Sequence, residues 1–352
     1  MTTTQAEAAA LLRAVEVART VVRTFPNPQV GCVLLDDRGA ELAVGIHRGA
    51  GTDHAEVDAL QQAREAARGA TAVVTLEPCA HTGRTGPCTE ALIAAGVARV
   101  VFGTRDPNPQ GAGGAEILRA ACIEVVDAQS PEAAALIRAW AYPYTHGRPF
   151  VTWKYAATLD GLSAAPDGSS KWITSAEARR EVQTFRAECD AIMAGTGSVL
   201  ADDPRLTVRG EDDLPLPYEQ QALRVVVGET QIPKYYRVFD RVAPTLRVQT
   251  REPATVLAKL TEHQIHHVWL EGGPRLAGAF WNAGVIDRVI GYVAPAMLGS
   301  GRAALEGEAT TLADLRPIRI DDLRMVGPDI RIIGTPEEAH RDKIHRAELQ
   351  ED

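Results

Sequence analysis

Apolar and polar positions alternate along the first part of the chain with two periods, one typical of helices and one typical of strands. Between Glu7 and Val22, apolar residues recur at nearly helical spacing, which predicts a first helix. A second helix is expected from His54 to about Arg68, and a third directly after Cys88. Helices that alternate with strands predict a layered α/β domain. Short apolar runs predict its strands at 30–35, 42–46, 72–76 and 97–103.

A break in this pattern predicts a domain boundary. Two prolines and a glycine fall between Tyr142 and Pro149, and a new strand begins at Phe150. We therefore expect one domain at residues 1–146, a second at 147–334, and a polar tail at 335–352. Composition alone favours a polar loop at 199–209. Further strands are predicted at 191–194, 224–227, 285–293 and 330–333, with a helix at 176–186 and a loop at 295–301.

Composition limits the classes of function. The chain has 352 residues, 45% of them apolar and 24% charged, as in ordinary globular proteins. Its net charge of -9 argues against a nucleic-acid surface, because phosphate binding needs clustered Lys and Arg. The five cysteines do not suggest a disulfide framework, and neither a signal peptide nor a membrane span is recognised. We expect a cytoplasmic protein with a small-molecule substrate, without nucleic-acid or membrane partners, that forms a homo-oligomer.

One stretch of the first domain carries residues that can hold a catalytic metal. His54, Cys79 and Cys88 form a three-ligand set that Zn²⁺ accepts when it leaves one position open. Glu56, two residues after the histidine, matches the non-ligand carboxylate of zinc deaminases, although eight residues rather than two separate the cysteines. A closed structural zinc site would need a fourth protein ligand, for which only His81 is near in sequence. The sequence predicts one catalytic zinc ion, with Glu56 as the catalytic acid and base.

Four segments give the first domain a family resemblance. They are Pro26–Cys32, His54–Glu56, Gly83–Thr85 and Asp106–Pro109. Together they resemble the deaminase half of the bifunctional riboflavin-biosynthesis deaminase/reductases, which implies a cytidine-deaminase-like α/β/α layered fold. The resemblance also implies a set of substrate-binding residues in this half, Asn27, Arg84, Thr85, Asp106 and Asn108.

The second domain is similar to the reductase half of the same family, an α/β fold like dihydrofolate reductase. It lacks a G-x-G-x-x-G, but a Gly272-Gly273 pair lies between a strand and a helix, where a backbone can approach a pyrophosphate. The resemblance implies NADPH near Ala156, Trp172, Ser198, Asp202, Gly272, Gly273, Pro274, Arg275, Leu276, Ala277, Gly278 and Ala279. It implies the substrate near Lys154, Ser170, Arg186, Leu206, Arg209 and Glu271. Both arginines suit a phosphate, and either could instead be solvated, just as Trp172 could belong to the core.

Two segments depart from the family pattern. The loop Gln110–Gly114 differs in sequence from the usual segment, and Cys122 replaces a usual glycine. Gly228-Glu229 stands where Asp-Ser is common, and a carboxylate there would repel an additional phosphate on the nucleotide.

The resemblance implies two successive steps of riboflavin synthesis. The first is zinc-dependent deamination of 2,5-diamino-6-(5-phosphoribosylamino)pyrimidin-4-one. The second is NADPH-dependent reduction of the ribosyl group of the product, 5-amino-6-(5-phosphoribosylamino)uracil, to ribityl. Three alternatives remain open at this point: an active deaminase with a drifted reductase half, a nucleic-acid base deaminase, and a zinc module without enzymatic activity.

Overall fold

The computed structural model describes residues 2–81 and 86–337. The chain divides into two compact units, residues 1–148 and 149–352. Of the predicted polar tail, residues 338–352 lie outside the described part, and the last strand extends to Pro336. No helix in the described ranges has both the length and the apolarity that crossing a bilayer requires.

The first unit is built on a five-stranded sheet in the order β2-β1-β3-β4-β5. Alternate residues of its fully buried strand β1 enter two hydrophobic clusters, with Cys32 and Leu34 in one and Val33 and Leu35 in the other. Helices therefore cover both faces of the sheet. The elements are α1 (Gln5–Arg19), β1 (Gly31–Leu35), β2 (Glu41–Ile46), α2 (Ala55–Ala63), β3 (Thr71–Leu76), α3 (Cys88–Ala95), β4 (Arg99–Thr104), α4 (Gly114–Ala120), β5 (Glu124–Asp127) and α5 (Pro131–His146).

The second unit is built on an eight-stranded sheet in the order β10-β9-β8-β11-β6-β12-β15-β14. Its first six strands run parallel to one another, and β15 and β14 add an antiparallel hairpin at one edge. The elements are β6 (Phe150–Thr158), β7 (Leu162–Ala164), α6 (Ala176–Ala187), β8 (Ala191–Gly195), α7 (Thr196–Asp202), β9 (Leu223–Val227), β10 (Thr245–Val248), α8 (Pro253–Glu262), β11 (His267–Leu270), α9 (Pro274–Asn282), β12 (Arg288–Ala294), β13 (Arg302–Ala303), β14 (Ile318–Val326) and β15 (Asp329–Pro336).

Three local predictions differ from the structure. The helix expected to reach Arg68 ends at Ala63 and continues as a 3-10 turn, Arg64–Ala67. Helix α5 runs through Pro143 and ends at His146, where Gly147 caps it with a left-handed φ of 69°. The stretch whose composition favours a loop begins inside a helix, α7, which ends at Asp202. In each case the residues at the helix end, rather than the general composition, determine where the helix stops.

Candidate active sites

Three elements of the first unit bring the predicted metal ligands together. His54 directly precedes α2, Cys88 is the first residue of α3, and Cys79 lies in the loop that follows β3. His54 Nδ1 is 3.1 Å from the Cys88 sulfur and 3.6 Å from the Cys79 sulfur. The Cys88 backbone N–H also points at the Cys79 sulfur, at 3.4 Å, so the start of α3 favours a thiolate there. Residues that are 34 positions apart in the chain thus form one cluster.

The geometry of this cluster fits a zinc ion. The three ligand atoms all lie within 4.8 Å of one another. Zinc bonds of about 2.0–2.3 Å at tetrahedral angles require ligand atoms about 3.5 Å apart. Among the described residues, no fourth His, Cys, Asp or Glu joins the set, so one coordination position is left for water or substrate.

Burial and hydrogen bonds set the protonation of the thiols and of Glu56. The hydrogen bond with Cys88 lowers the pKa of the Cys79 thiol to about 4, and the same contact raises the pKa of Cys88. Burial raises the pKa of Glu56, whose side chain is 3% exposed and hydrogen-bonds with Cys88. A carboxyl group with a raised pKa holds a proton more readily, which suits a group that first accepts and then releases one.

Asn27 lies close to the metal ligands through a residue that the sequence reasoning missed. Its Nδ2 donates to His47 Nε2 at 2.9 Å, and His47 Nδ1 donates to the Asp53 carbonyl at 3.0 Å. The His47 ring packs edge-on against His54, with 5.2 Å between ring centroids. Burial lowers the pKa of His47, which favours the neutral form of its ring. The only signal in the sequence is a histidine placed directly after a strand.

Asp106 and Asn108 lie in the loop after β4 and are held by Glu77, a second residue that the sequence reasoning missed. The buried Glu77 carboxylate accepts from the backbone N–H of Asp106 at 3.3 Å and from that of Ala115 at 3.0 Å. Asp106 in turn accepts from the Asn108 N–H at 2.8 Å, and burial raises the pKa of Asp106 to about 6. Through these hydrogen bonds, Glu77 holds the predicted substrate-binding loop after β4 close to the metal ligand Cys79, which is two residues further along the chain. Arg84 and Thr85, also predicted to bind substrate, lie outside the described residues.

The loop that departs from the family pattern packs closely onto this site. A Cβ at Gly111 would lie 2.0 Å from Asp106 Oδ2, and a Cβ at Gly114 would lie 1.8 Å from the Pro78 carbonyl oxygen. Only glycine allows both approaches. The unusual glycine content of the loop is therefore compatible with the site.

In the second unit, three predicted substrate residues lie close together, although they come from helix α6, the middle of β6 and the residue after β11. Arg186 forms a bidentate ion pair with Glu271 and donates to the Thr207 carbonyl at 3.1 Å. Burial raises the pKa of Glu271, but the charge and hydrogen bonds of Arg186 outweigh it and hold the pKa at about 2. Burial lowers the pKa of the Lys154 amine, although the Glu271 carboxylate opposes that shift. Arg186 is thus already paired, and Lys154 is the less engaged cation.

The other predicted substrate residues are placed less closely. Leu206 is buried and has a left-handed φ of 49°, next to the Thr207 carbonyl that binds Arg186. The Arg209 guanidinium donates to Asp213 at 3.0 Å, and its backbone N–H donates to Gln183. Within the part of the chain that the structure describes, no hydrogen bond joins Ser170 to these residues.

The predicted cofactor residues lie in several elements of the second unit. Ser198, in α7, accepts a hydrogen bond from the Gly273 backbone N–H at 3.1 Å. This bond joins two glycine turns, one at the end of β8 with Gly195 and Gly197 and one after β11 with Gly272 and Gly273. Gly273 caps α9, and Pro274 is its first residue. Trp172 is 69% exposed, with the Arg179 guanidinium 4.4 Å from its ring centroid, so it is not a core residue. Asp202 pairs with Lys171 at 3.5 Å, and Ala156 lies in β6.

Comparisons with known proteins cover both units. Residues 149–330 match the family described as RibD C-terminal domain, and residues 4–104 match the cytidine and deoxycytidylate deaminase zinc-binding region. The riboflavin biosynthesis protein RibD of Mycobacterium tuberculosis is 46% identical over 310 residues, covering 87% of this chain and 90% of the relative. That of Escherichia coli is 41% identical over 356 residues, covering 91% and 96%.

Solved structures give the same result for the fold. Acinetobacter baumannii RibD superposes with a TM-score of 0.89 at 36% identity, covering 95% of this chain and 99% of that one. A Thermotoga maritima diaminohydroxyphosphoribosylaminopyrimidine deaminase/5-amino-6-(5-phosphoribosylamino)uracil reductase superposes with a TM-score of 0.86 at 32% identity, covering 94% and 99%.

Proposed function

The chain belongs to the RibD family of riboflavin biosynthesis proteins, and from this premise we propose which of its residues carry out the two reactions. Membership confirms the predicted fold class, with a cytidine-deaminase-like domain followed by a reductase domain, and the predicted bifunctional activity. It also confirms zinc and NADPH as the cofactors. The alternatives of a drifted reductase half, a base deaminase and a zinc module without activity gain no support.

We assign the deaminase to residues 1–146. The observation that supports this assignment most directly is that three metal ligands converge beside the buried Glu56. The substrate is the diaminopyrimidinone ribosyl phosphate predicted from the sequence. When bound, Zn²⁺ supplies Lewis acidity, which makes water nucleophilic near neutral pH. Glu56 takes one proton from the attacking water and delivers it to the ring nitrogen. As the carbon–nitrogen bond breaks, it carries the second proton, from the newly added hydroxyl, to the amino group, which leaves as ammonia. Asn27, Thr85, Asp106 and Asn108 are proposed to contact the substrate in the deaminase pocket, and Arg84 is proposed to contact its phosphate.

We assign the reductase to residues 147–334. Bound NADPH supplies a hydride, and the chain orients the nicotinamide against the opened sugar carbon. Glu271, whose pKa is held at about 2 by Arg186, stays charged and fixes the substrate rather than releasing a proton. Lys154, whose pKa burial lowers, is the better group to supply the proton that accompanies the hydride. Ser170, Leu206 and Arg209 are proposed to complete the substrate site.

One experiment tests both assignments on the full chain. Purified protein is assayed for ammonia release and for NADPH oxidation in the same cuvette, with and without a zinc chelator. We expect chelation to stop ammonia release, and NADPH oxidation to continue once the deaminated intermediate is supplied directly. Ammonia release that persists after complete metal removal, confirmed by metal analysis, would overturn the zinc assignment.

A substitution isolates the role of Glu56. Glu56→Gln keeps the size of the side chain but removes its base, so we expect ammonia release to fall by about 10²–10⁴-fold while bound zinc is retained. Glu90→Gln, at an exposed carboxylate in the first turn of α3, is the matched control and should leave both rates unchanged. An active Glu56→Gln enzyme would exclude the proposed proton relay.

We also propose the partners and the location of the protein. A small-molecule substrate follows from family membership, and the net charge of -9 supports a protein without nucleic-acid partners. The edge strand β14 exposes Ile320, Leu323 and Met325 by 58–60%, which supports a homo-oligomer formed through this edge. Light scattering on the wild type and on Leu323→Asp tests this interface. Cytoplasmic location is likewise proposed, and cell fractionation tests it.

A further inference from the structure

The carboxyl end of β9 borders the proposed cofactor site. β8 and β9 are parallel neighbours, with Gly195 opposite Val227. Gly228 follows with a φ of 129°, and a Cβ there would lie 2.6 Å from Thr196 Oγ1 in the first turn of α7. Since Ser198 of the same helix binds the Gly273 backbone, the ends of β8, β9 and β11 form one continuous edge. A dinucleotide on the glycine turns would extend along that edge.

Glu229 is the first side chain beyond this close contact. It is exposed, whereas Gly228 is buried. Among the described residues, no ion pair or hydrogen bond holds its carboxylate. The nearby cation of β10, Arg247, donates instead to the Thr230 carbonyl at 3.1 Å and to Gln231 at 3.3 Å. The Glu229 carboxylate therefore lies at the edge of the site without an ion pair of its own among the described residues.

The charge at such a position affects which dinucleotide binds. In α/β dinucleotide sites an acidic side chain hydrogen-bonds the ribose 2′-hydroxyl of NADH, whereas a cation accommodates the 2′-phosphate of NADPH. We propose that Glu229 is a specificity-determining residue that accepts a hydrogen bond from the 2′-hydroxyl and repels the 2′-phosphate. Glu229 therefore lowers the preference of this reductase for NADPH over NADH. The inference rests on the cofactor site proposed above.

The test compares wild type with Glu229→Gln, which removes the charge and keeps the shape. The ratio of kcat/KM for NADPH to kcat/KM for NADH, measured with supplied deaminated intermediate, should rise about five- to tenfold. A doubly charged phosphate a few ångströms from one carboxylate in water is disfavoured by roughly that factor. The difference between the two proteins should shrink at high salt, because exposed charges are screened.

Binding of nucleotide fragments gives a readout that does not depend on turnover. Calorimetry should show tighter binding of adenosine 2′,5′-bisphosphate to Glu229→Gln by a similar factor, with little change for adenosine 5′-monophosphate. Glu219→Gln is the matched control, because Glu219 is an exposed carboxylate that precedes β9, about 16 Å of strand from Glu229. It should behave as wild type.

Two results would overturn the proposal, and they can be told apart. If both dinucleotides bind and react but their ratio is unchanged by Glu229→Gln, Glu229 does not determine specificity and the cofactor site stands. If neither the dinucleotides nor the fragments bind to the wild type, the proposed cofactor site fails together with the inference.

Discussion

At the residue scale, Arg224 organises a stretch of the second unit that has no clear pattern in the sequence. Its fully buried guanidinium donates to the Asp240 carboxylate at 2.8 Å, to the Arg237 carbonyl at 3.0 Å, and to the Ala243 carbonyl. These acceptors all belong to the irregular segment 237–243. The side chain of one strand residue thus supplies hydrogen bonds that regular structure would otherwise provide.

Loss of this guanidinium should destabilise the second unit strongly. Arg224→Met removes the buried guanidinium that pairs with the half-buried Asp240 carboxylate and leaves several carbonyls without their donor, so we expect the free energy of unfolding to fall by about 3–5 kcal/mol. Denaturant unfolding of the full chain, followed by tryptophan fluorescence, measures the change. Arg237→Met removes an exposed ion pair with Asp203 and should cost less than about 1 kcal/mol. Equal effects of the two substitutions would contradict the role given to Arg224.

The buried His267 should make the stability of the second unit depend on pH. Burial lowers its pKa to about 3, and its ring hydrogen-bonds with Thr152 at 2.9 Å. In the unfolded chain this histidine takes up a proton near pH 6.5. The stability that the neutral, buried His267 contributes is therefore fully present above that pH. It is lost as the pH falls from about 6.5 toward 3, by about 1.4 kcal/mol per pH unit. We expect the melting temperature of His267→Gln to fall less steeply than that of wild type between pH 6.5 and 4.5; parallel curves would contradict this assignment.

The metal ligands could be predicted from the sequence, whereas their neighbours could not. His54, Glu56, Cys79 and Cys88 are uncommon residue types in a spacing that zinc chemistry explains. His47 and the other supporting residues act through contacts between distant parts of the chain. Their roles therefore depend on the tertiary structure rather than on a local pattern.

At the element scale, the close packing of α2 on β2 holds His54 and Glu56 in place. A Cβ at Gly45 in β2 would lie 1.9 Å from the Ala55 carbonyl oxygen and 2.5 Å from the Ala59 backbone nitrogen. Both atoms belong to the backbone of α2, so a side chain at this position can be accommodated only if the helix moves. The glycine sets the distance between strand and helix.

Gly45→Ala should therefore impair the deaminase while the protein still folds. Because displacements of about 1 Å at a catalytic site can cost about 10²-fold, we expect ammonia release to fall at least tenfold and zinc to be lost at a lower chelator concentration. Reduction of supplied intermediate, measured on the same sample, should be unchanged. Leu42→Ala, at an exposed position of the same strand, is the control. Normal zinc retention in Gly45→Ala would contradict the proposed packing constraint.

Helices and strands were predictable where their side chains are buried, and less so where they are exposed. The strands of the first sheet follow from their apolar runs, because both of its faces are covered. Strand β14 was not predicted, since most of its length is exposed and its charged residues give no simple alternation. Its hydrogen bonds to β15, rather than burial, make it a strand.

At the scale of the whole molecule, each compact unit has its own sheet and its own buried core. The predicted metal ligands lie only in the first unit, and the proposed dinucleotide site lies only in the second. A ligand that binds the folded state stabilises the unit that holds it. Zinc and NADPH should therefore act on different parts of the unfolding curve.

Calorimetry of the full chain should show two transitions that respond to different ligands. Removal of zinc should lower only the transition temperature of the first unit. The metal would join α2, α3 and the loop after β3, and these links would be lost. NADPH at about 100 times its Kd should raise the other transition, since binding then adds about 2.7 kcal/mol, or about 5–10 °C for a unit of this size. Glu56→Gln retains the ligands and should leave both transitions in place. If one transition moved with both ligands, the units would unfold as a single cooperative body, and zinc loss would then also impair the reductase at elevated temperature.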